Sequence, residues 1–354
     1  MTTTVNNQAR LDAGLLGEIA SNAGSLDRGE QPARRSFEAL GRHGVLGLGA
    51  PGNADGRLPQ MVEVIGSIAG VCMSTAFSVW ADRMAIEYLL RAATPFAAKA
   101  AESLLTGSVL GVTAMASAFK DAAGCGRLEL TAAPVDGGFE INGPIRWASN
   151  LYPDSLMVTA VRTEAGDKMI VALPLSTLGV TVGDRFKLLA LDSTASSYLN
   201  LDGAHVSPGQ VLSHDFNGFV NAVRPTLLVL QSAICLGLAR TCVEQGLRGL
   251  TGVNAIFAAE LDETARRLSE AEATLASFAA AVGGVDAPTK RELLTLRLTA
   301  AELSSASADL EIRTAGGKGY ASGTPANRRY REAAFIPVQS PSEAQLRWEL
   351  AKSV

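Results

Sequence analysis

The chain has 354 residues, 47% of them apolar, which is enough to bury a large core in two or three packed units. A formal net charge of -4 at pH 7 and an isoelectric point near 5.6 give no basis for nucleic-acid binding. The four cysteines are scattered, with no Cys-x-x-Cys pair and no neighbouring histidine, so the sequence predicts no metal site and no disulfide framework.

Residues 1–105 are predicted to form an N-terminal helical domain. The first residues lack a basic start followed by an apolar run, so they do not resemble a signal peptide. The following residues are rich in alanine, and Phe37, Leu40 and Leu46 recur at the spacing of one helix face. The apolar residues of 61–69 have the same helical spacing. No apolar run is long enough to span a bilayer, so we expect a cytoplasmic protein without membrane contact.

Residues 106–212 are predicted to form a middle β-domain. Short runs rich in β-formers are separated by Gly, Asp and Pro. An Asp-Gly-Gly sequence at 136–138 indicates a hairpin turn between two of these runs. The candidate strands are residues 109–115, 128–132, 138–141, 156–162, 169–173, 180–182 and 198–201.

Residues 213–354 return to a helical pattern. Long helices are predicted at 216–249, 261–281 and 289–314, and Gly316 and Gly317 should stop the last of them. Helices, strands and then long helices predict an α+β fold that is mostly α, with a C-terminal four-helix bundle.

Two familiar active-site patterns do not apply to this chain. Residues 47–52 match Gly-x-Gly-x-x-Gly by letter, but they follow a helical pattern and no βαβ unit surrounds them, which argues against a Rossmann site. The histidines (His43, His205 and His214) stand apart from any nucleophile pattern, so a hydrolytic triad is not predicted.

Five segments in order resemble the acyl-CoA dehydrogenase family over nearly the whole chain. Residues 141–150 read Ile-Asn-Gly-Pro-Ile-Arg-Trp-Ala-Ser-Asn, and residues 314–320 read Thr-Ala-Gly-Gly-Lys-Gly-Tyr. The other three are residues 325–333, which start with Pro and carry spaced arginines, and residues 40–51 and 198–208. The resemblance implies a helical domain, a small β-barrel or sandwich, and a four-helix bundle.

The resemblance also implies a flavin site. Trp147 would wall one side of the isoalloxazine ring, and the Ser149 hydroxyl would lie near flavin N5; positions i and i+2 share one face of a strand. The segment containing Met115 and Ser117 would bind the pyrimidine edge through backbone amides and a hydroxyl. Without a flavin, Trp147 would be an edge residue packed on the C-terminal helices, and the second segment an ordinary strand end.

The same resemblance assigns a second group of residues to the cofactor. Gly316 and Gly317 would contact the adenosine diphosphate part of FAD bound mainly by a neighbouring subunit, and Glu343 matches a flavin-contacting position. The alternative for the glycines is a helix C-cap alone. The family's pyrophosphate-binding Arg has no counterpart near residues 250–255, although Arg248 lies close, so FMN or loss of the flavin are alternatives to FAD.

The catalytic base of the family is missing from both places that the resemblance implies. Gln339 stands at the usual glutamate position, and the alternative position holds Val223, just before Arg224, which would bind substrate. An amide and an alkyl group cannot accept an α-proton. Glu332 or Glu343 would serve only if the alignment slips.

These residues predict a flavin-dependent oxidoreductase that is not a standard α,β-dehydrogenase. The alternatives are a monooxygenase or hydroxylase of the same fold, and a non-catalytic binding or assembly protein. The expected substrate is a small molecule, with an acyl thioester as one class, and the redox partner is not identified. A homodimer or homotetramer is expected through the long C-terminal helices, since Leu227, Leu228, Val229 and Leu230 occupy several helix faces.

Overall fold

The N-terminal part of the protein is helical. A computed structural model gives the fold and describes residues 11–352. The first part contains α1 (Ala13–Asp27), α2 (Phe37–Arg42), α3 (Leu58–Val71), α4 (Met73–Arg91) and α5 (Pro95–Leu105). Nearly every residue of α4 is buried, so this helix lies at the centre of the molecule rather than on its surface.

The middle part is one eight-stranded sheet with a short helix after its first strand. It contains β1 (Gly111–Ala114), the helix α6 (Ala116–Ala123), β2 (Thr131–Val135), β3 (Gly138–Ala148), β4 (Leu156–Arg162), β5 (Lys168–Pro174), β6 (Val180–Val182), β7 (Ser197–Val206) and β8 (Val211–Ser213). The strand order is β6-β7-β3-β2-β4-β5-β8, with β1 pairing parallel to β4.

Both faces of the central strands are buried because the sheet lies between two cores. Met157 and Val161 of β4 point into a core inside the β-domain, whereas Val158 and Ala160 point into the helical core. Successive side chains of a strand face opposite sides, so a strand in this place is apolar throughout. This accounts for the mostly apolar sequence of β4.

The C-terminal part forms the helical bundle. It contains α7 (Phe216–Arg248), α8 (Ala258–Ala281), α9 (Lys290–Tyr320), α10 (Pro325–Ala333) and α11 (Glu343–Lys352). The predicted order of helices, strands and helices is confirmed, as is the mostly α character. The glycines predicted the end of the helix; helical dihedral angles are interrupted at Gly316, with φ 61° and ψ −151°, and resume until Tyr320.

The apolar faces of α7 are covered within the chain. Leu227, Leu228, Val229, Leu230 and Ile234 are all buried, because α3, α8 and α9 pack around the helix. The exposed stripe that favoured an oligomer interface is therefore not present on α7. By length and composition α7 could cross a membrane, but 89% of its most apolar window is buried inside the fold.

Three local differences from the predicted elements have physical causes. β3 continues to Ala148, well past the predicted end at Ile141, since it pairs with β7 across two bulges. The strand predicted to reach residue 115 stops at Ala114, and α6 begins at Ala116. β8 was not predicted because a three-residue strand has little pattern of its own and forms by pairing with β5.

Candidate functional site

A cavity of about 730 Å³ lies between the sheet and the helical bundle. Its walls come from α4, from the β1–α6 junction, from β3 and from the segment after α10, and they are mostly apolar. The end of β3 and the start of α6 meet here because β1 and β3 belong to the same sheet. Polar and charged side chains enter these walls at several points, as in small-molecule sites.

Trp147 and Ser149, at the end of β3, both line this cavity. The indole is 48% exposed and packs against Phe186, with 4.4 Å between the ring centroids. The Ser149 hydroxyl is buried and lies 2.7 Å from the Ser196 hydroxyl, which is itself 2.8 Å from that of Thr194. The structure thus brings together a broad aromatic face and a hydroxyl held by a hydrogen-bonded chain.

Met115 and Ser117 line the same cavity at the N-terminus of α6. Met115 is the N-cap residue and provides no side-chain hydrogen bond to the first turn. The first backbone N–H groups of a helix have no partner within the helix, and they carry a partial positive charge. This junction can therefore donate hydrogen bonds to acceptor atoms of a ligand.

Gln339 and Ser340 form another part of the wall. The Gln339 side chain is only 4% exposed, and its Oε1 accepts a hydrogen bond from Nη2 of Arg297 at 3.4 Å. Its Nε2 has no partner within the described chain. The Ser340 carbonyl accepts from Nε2 of Gln231 at 2.8 Å, which ties this segment to α7.

The charged groups of the cavity are mostly cationic. Among its described lining residues the carboxylate is Glu129, which Arg146 holds at 2.8 Å. That hydrogen bond keeps the pKa of Glu129 below its usual range, and the residue is a correspondingly weak base. The cationic lining residues are Lys120, Arg127, Arg146 and Arg331, an arrangement that attracts anionic ligand groups.

The chain is similar in sequence and in structure to acyl-CoA dehydrogenases. No family model matches the chain. A benzylmalonyl-CoA dehydrogenase of Aromatoleum aromaticum is 24% identical, over 95% of this chain and 93% of that protein. A glutaryl-coenzyme A dehydrogenase in complex with glutaryl-CoA superposes with a TM-score of 0.85 at 17% identity, over 99% of this chain and 96% of the other.

This protein has the acyl-CoA dehydrogenase fold. The same fold is found in a prolyl acyl carrier protein oxidase, with a TM-score of 0.81 and 18% identity over 99% of both chains. These proteins are named as redox enzymes. The fold itself does not distinguish dehydrogenase from oxidase chemistry.

The remaining residues of the predicted acyl-CoA dehydrogenase-like site lie outside the cavity wall. Val223 is wholly buried in α7, and the neighbouring Arg224 is engaged by Glu349 at 2.5 Å. Glu343 begins α11 and pairs with an arginine on its own helix at 2.8 Å. Gly316 and Gly317 are exposed at the break in α9.

Arg297 is the site-forming residue that the sequence analysis missed. It lies in α9, is fully buried, and contacts Gln339 behind the cavity wall. An arginine within the apolar run Leu294-Thr-Leu-Arg-Leu298 was a visible signal, because arginine is seldom fully buried without a partner. The contact of Arg297 with Gln339 could not be predicted from the sequence, because it depends on how the bundle packs.

Proposed function

We propose that the protein is an FAD-dependent oxidoreductase that binds FAD in the cavity, with Trp147 against the flavin ring. The supporting observation is the convergence of Trp147, Ser149, the start of α6 and Gln339 on one cavity. The resemblance assigned Trp147, Ser149 and the start of α6 to the flavin, and Gln339 to the position of the family's catalytic base. An acyl thioester is the proposed substrate class, since the similar proteins include a benzylmalonyl-CoA and a glutaryl-coenzyme A dehydrogenase.

The residues present fit FAD. The half-exposed indole of Trp147 offers an aromatic face, and the uncapped start of α6 offers backbone donors for ring acceptor atoms. Lys120 and Arg127 lie on the same cavity and would favour phosphate groups. When bound, FAD would supply a two-electron acceptor. The chain would orient it, exclude water from it with Phe77 and Phe335, and position the substrate.

The chemistry proposed for this cavity differs from standard α,β-dehydrogenation. That reaction needs a base for the α-proton of the acyl group, and Gln339 offers only an amide there. Glu129 is held by Arg146, and Val223 is apolar and buried. We therefore propose a redox reaction that does not depend on a carboxylate at residue 339.

A second candidate is a flavin-dependent hydroxylase or oxidase that uses oxygen. The cavity favours it because its wall is mostly apolar and carries no carboxylate next to Gln339. A prolyl acyl carrier protein oxidase has the same fold. Oxygen consumption by the reduced, flavin-loaded protein would distinguish this candidate from an enzyme that passes electrons to a protein acceptor.

The visible spectrum of the purified protein tests the proposal. We expect flavin absorption bands, with FAD rather than FMN released on denaturation and identified by chromatography. A colourless protein that cannot be reconstituted with either flavin would contradict the proposal and favour a binding or assembly role.

We also propose that the protein is at least a homodimer, with Gly316 and Gly317 near the flavin of a second subunit. The glycines are exposed, and the segment beside them presents Val253 and Ile256 with 89% and 80% of their surface accessible. Asn254 fixes this segment by donating to the Thr314 carbonyl at 2.8 Å. An exposed apolar pair on a fixed loop favours an interface. Light scattering at micromolar concentration should give at least twice the chain mass, and a monomer would contradict the proposal.

A further inference from the structure

Arg297 is a fully buried cation without a carboxylate partner. Its Nε lies 3.3 Å from Oε1 of Gln231, and its Nη2 lies 3.4 Å from Oε1 of Gln339 and 3.5 Å from the Ile336 carbonyl. Its Nη1 has no hydrogen-bond partner, and no Asp or Glu among residues 11–352 lies within ion-pair distance of it. All of its contacts are therefore with neutral acceptors.

An unpaired buried guanidinium is unfavourable. Arginine stays protonated in proteins, so it cannot escape the cost of burial by losing its charge. Removing such a charge from water costs several kcal/mol, which neutral acceptors offset only in part. A buried cation that is retained beside a cavity therefore points to an anion that arrives with a ligand.

Arg297 also fixes the orientation of Gln339. A guanidinium has donors only, so the amide of Gln339 must turn its oxygen toward Arg297. The Nε2 group is then left without a partner, in a side chain that lines the cavity. The hydroxyl of Ser340, which lines the same wall, also has no partner. Two adjacent donors are thus buried and unsatisfied in residues that line the cavity, with a positive charge behind them.

We propose that Arg297, Gln339 and Ser340, here called the Gln339 corner, bind a carboxylate on the acyl part of the substrate. The inference rests on the proposed function, because it places an acyl thioester in the cavity. The carboxylate would accept hydrogen bonds from Nε2 of Gln339 and Oγ of Ser340. Arg297 is a positioning residue: it holds the amide in the donating orientation and supplies the compensating charge.

Matched pairs of acyl-CoA molecules test this with the flavin-loaded protein. Glutaryl-CoA is compared with pentanoyl-CoA, and methylmalonyl-CoA with isobutyryl-CoA, by isothermal titration calorimetry. In at least one pair the molecule with the free carboxylate should bind at least about tenfold more tightly than its partner. This is the change in affinity that one charged hydrogen bond gives. The ratio of the two affinities should fall to near one in Gln339→Met and in Arg297→Met. It should reverse in Gln339→Glu, where the new carboxylate would repel the carboxylate of the ligand.

Arg313→Met is the matched control. It removes a cation from the same helix, but this arginine pairs on the surface with Glu260 at 3.0 Å, and the acid preference should remain. Equal binding of both members of each pair by the wild type would overturn the carboxylate site and leave the thioester proposal standing. Failure to bind any of the four molecules would instead overturn the acyl-thioester part of the proposed function.

A ligand-free measurement tests the charge of the corner independently. Gln339→Glu gives Arg297 a counter-ion, so it should raise the midpoint of thermal unfolding, by about 1–2 °C for each kcal/mol gained in a chain of 354 residues. In an Arg297→Met background the same substitution buries an unpaired carboxylate and should lower the midpoint. Additive effects in this double-mutant cycle would show that Arg297 does not act on residue 339, and would overturn the proposal even if no thioester binds.

Discussion

Arg224 of α7 and Glu349 of α11 form a buried ion pair, with Nη2 of the arginine 2.5 Å from the carboxylate. Lys290, the first residue of α9, approaches the same carboxylate at 2.9 Å. Burial favours protonation of Glu349, but the two cations outweigh it and lower its pKa. The resemblance implied that Arg224 binds substrate; in the structure its guanidinium links α7 to the last helix through Glu349.

The first prediction concerns the role of this pair. Arg224→Gln should lower the free energy of unfolding by about 3 kcal/mol, because it leaves a buried carboxylate with one cation fewer. Arg240→Gln is the control on the same helix; its pair with Glu272 is exposed and should contribute less than about 1 kcal/mol. Urea unfolding measures both. A stable Arg224→Gln protein that no longer binds acyl-CoA would restore the substrate role.

The second prediction concerns Glu332, which is buried in α10. Burial raises its pKa to about 7, although Nε of Arg328 lies 3.5 Å away. Because the folded pKa exceeds the unfolded one, the contribution to stability is complete below about pH 4.5 and is lost as pH rises through about 7. The loss amounts to roughly 3 kcal/mol at 1.36 kcal/mol per pKa unit.

Glu332→Gln should remove this pH dependence. Urea unfolding at pH 5.5 and pH 8.5 measures it, and the wild type should lose more stability over this interval than the variant. Glu302→Gln controls for the loss of one carboxylate, since Glu302 lies on the surface beside Arg347. Parallel pH profiles for wild type and Glu332→Gln would contradict the assignment.

The sequence was most informative where a long periodic pattern decides the structure. The 3.6-residue pattern located α7 and α8, and the glycines located the break at Gly316, because local chemistry fixes these features. Trp147 and Ser149 could also be placed on one cavity, since they lie two residues apart where β3 ends. The Arg297–Gln339 contact joins residues 42 positions apart through helix packing, so no local signal contains it.

The third prediction concerns the flavin face. Trp147→Ala should weaken FAD binding several-fold, since an aromatic pair contributes about 0.5–1.5 kcal/mol beyond the area it buries. Trp147→Phe should lose less. Trp348→Ala is the control, because Trp348 packs against Lys352 in α11 outside the cavity. Fluorescence titration of the flavin-free proteins with FAD measures the affinities. Equal losses in the two alanine variants would argue against a flavin at Trp147.

The last prediction concerns the missing base. Wild type should show negligible α,β-dehydrogenation of octanoyl-CoA with an artificial electron acceptor, because a positioned base contributes about 10²–10⁴-fold. Gln339→Glu alone should restore little of this activity. The amide oxygen of Gln339 lies 3.4 Å from Nη2 of Arg297, so a carboxylate there would have a lowered pKa and be a weak base.

Removing the cation reverses this effect. In Gln339→Glu/Arg297→Met the buried carboxylate has no cation beside it, its pKa rises, and it becomes a stronger base. The double variant should therefore exceed Gln339→Glu at pH 8, where more of its carboxylate is ionised, with a rate that climbs from pH 6. Gln339→Met/Arg297→Met, which has no carboxylate, should remain inactive. Robust wild-type turnover that Glu343→Gln abolishes would show instead that Glu343 is the base and that Gln339 does not occupy its position.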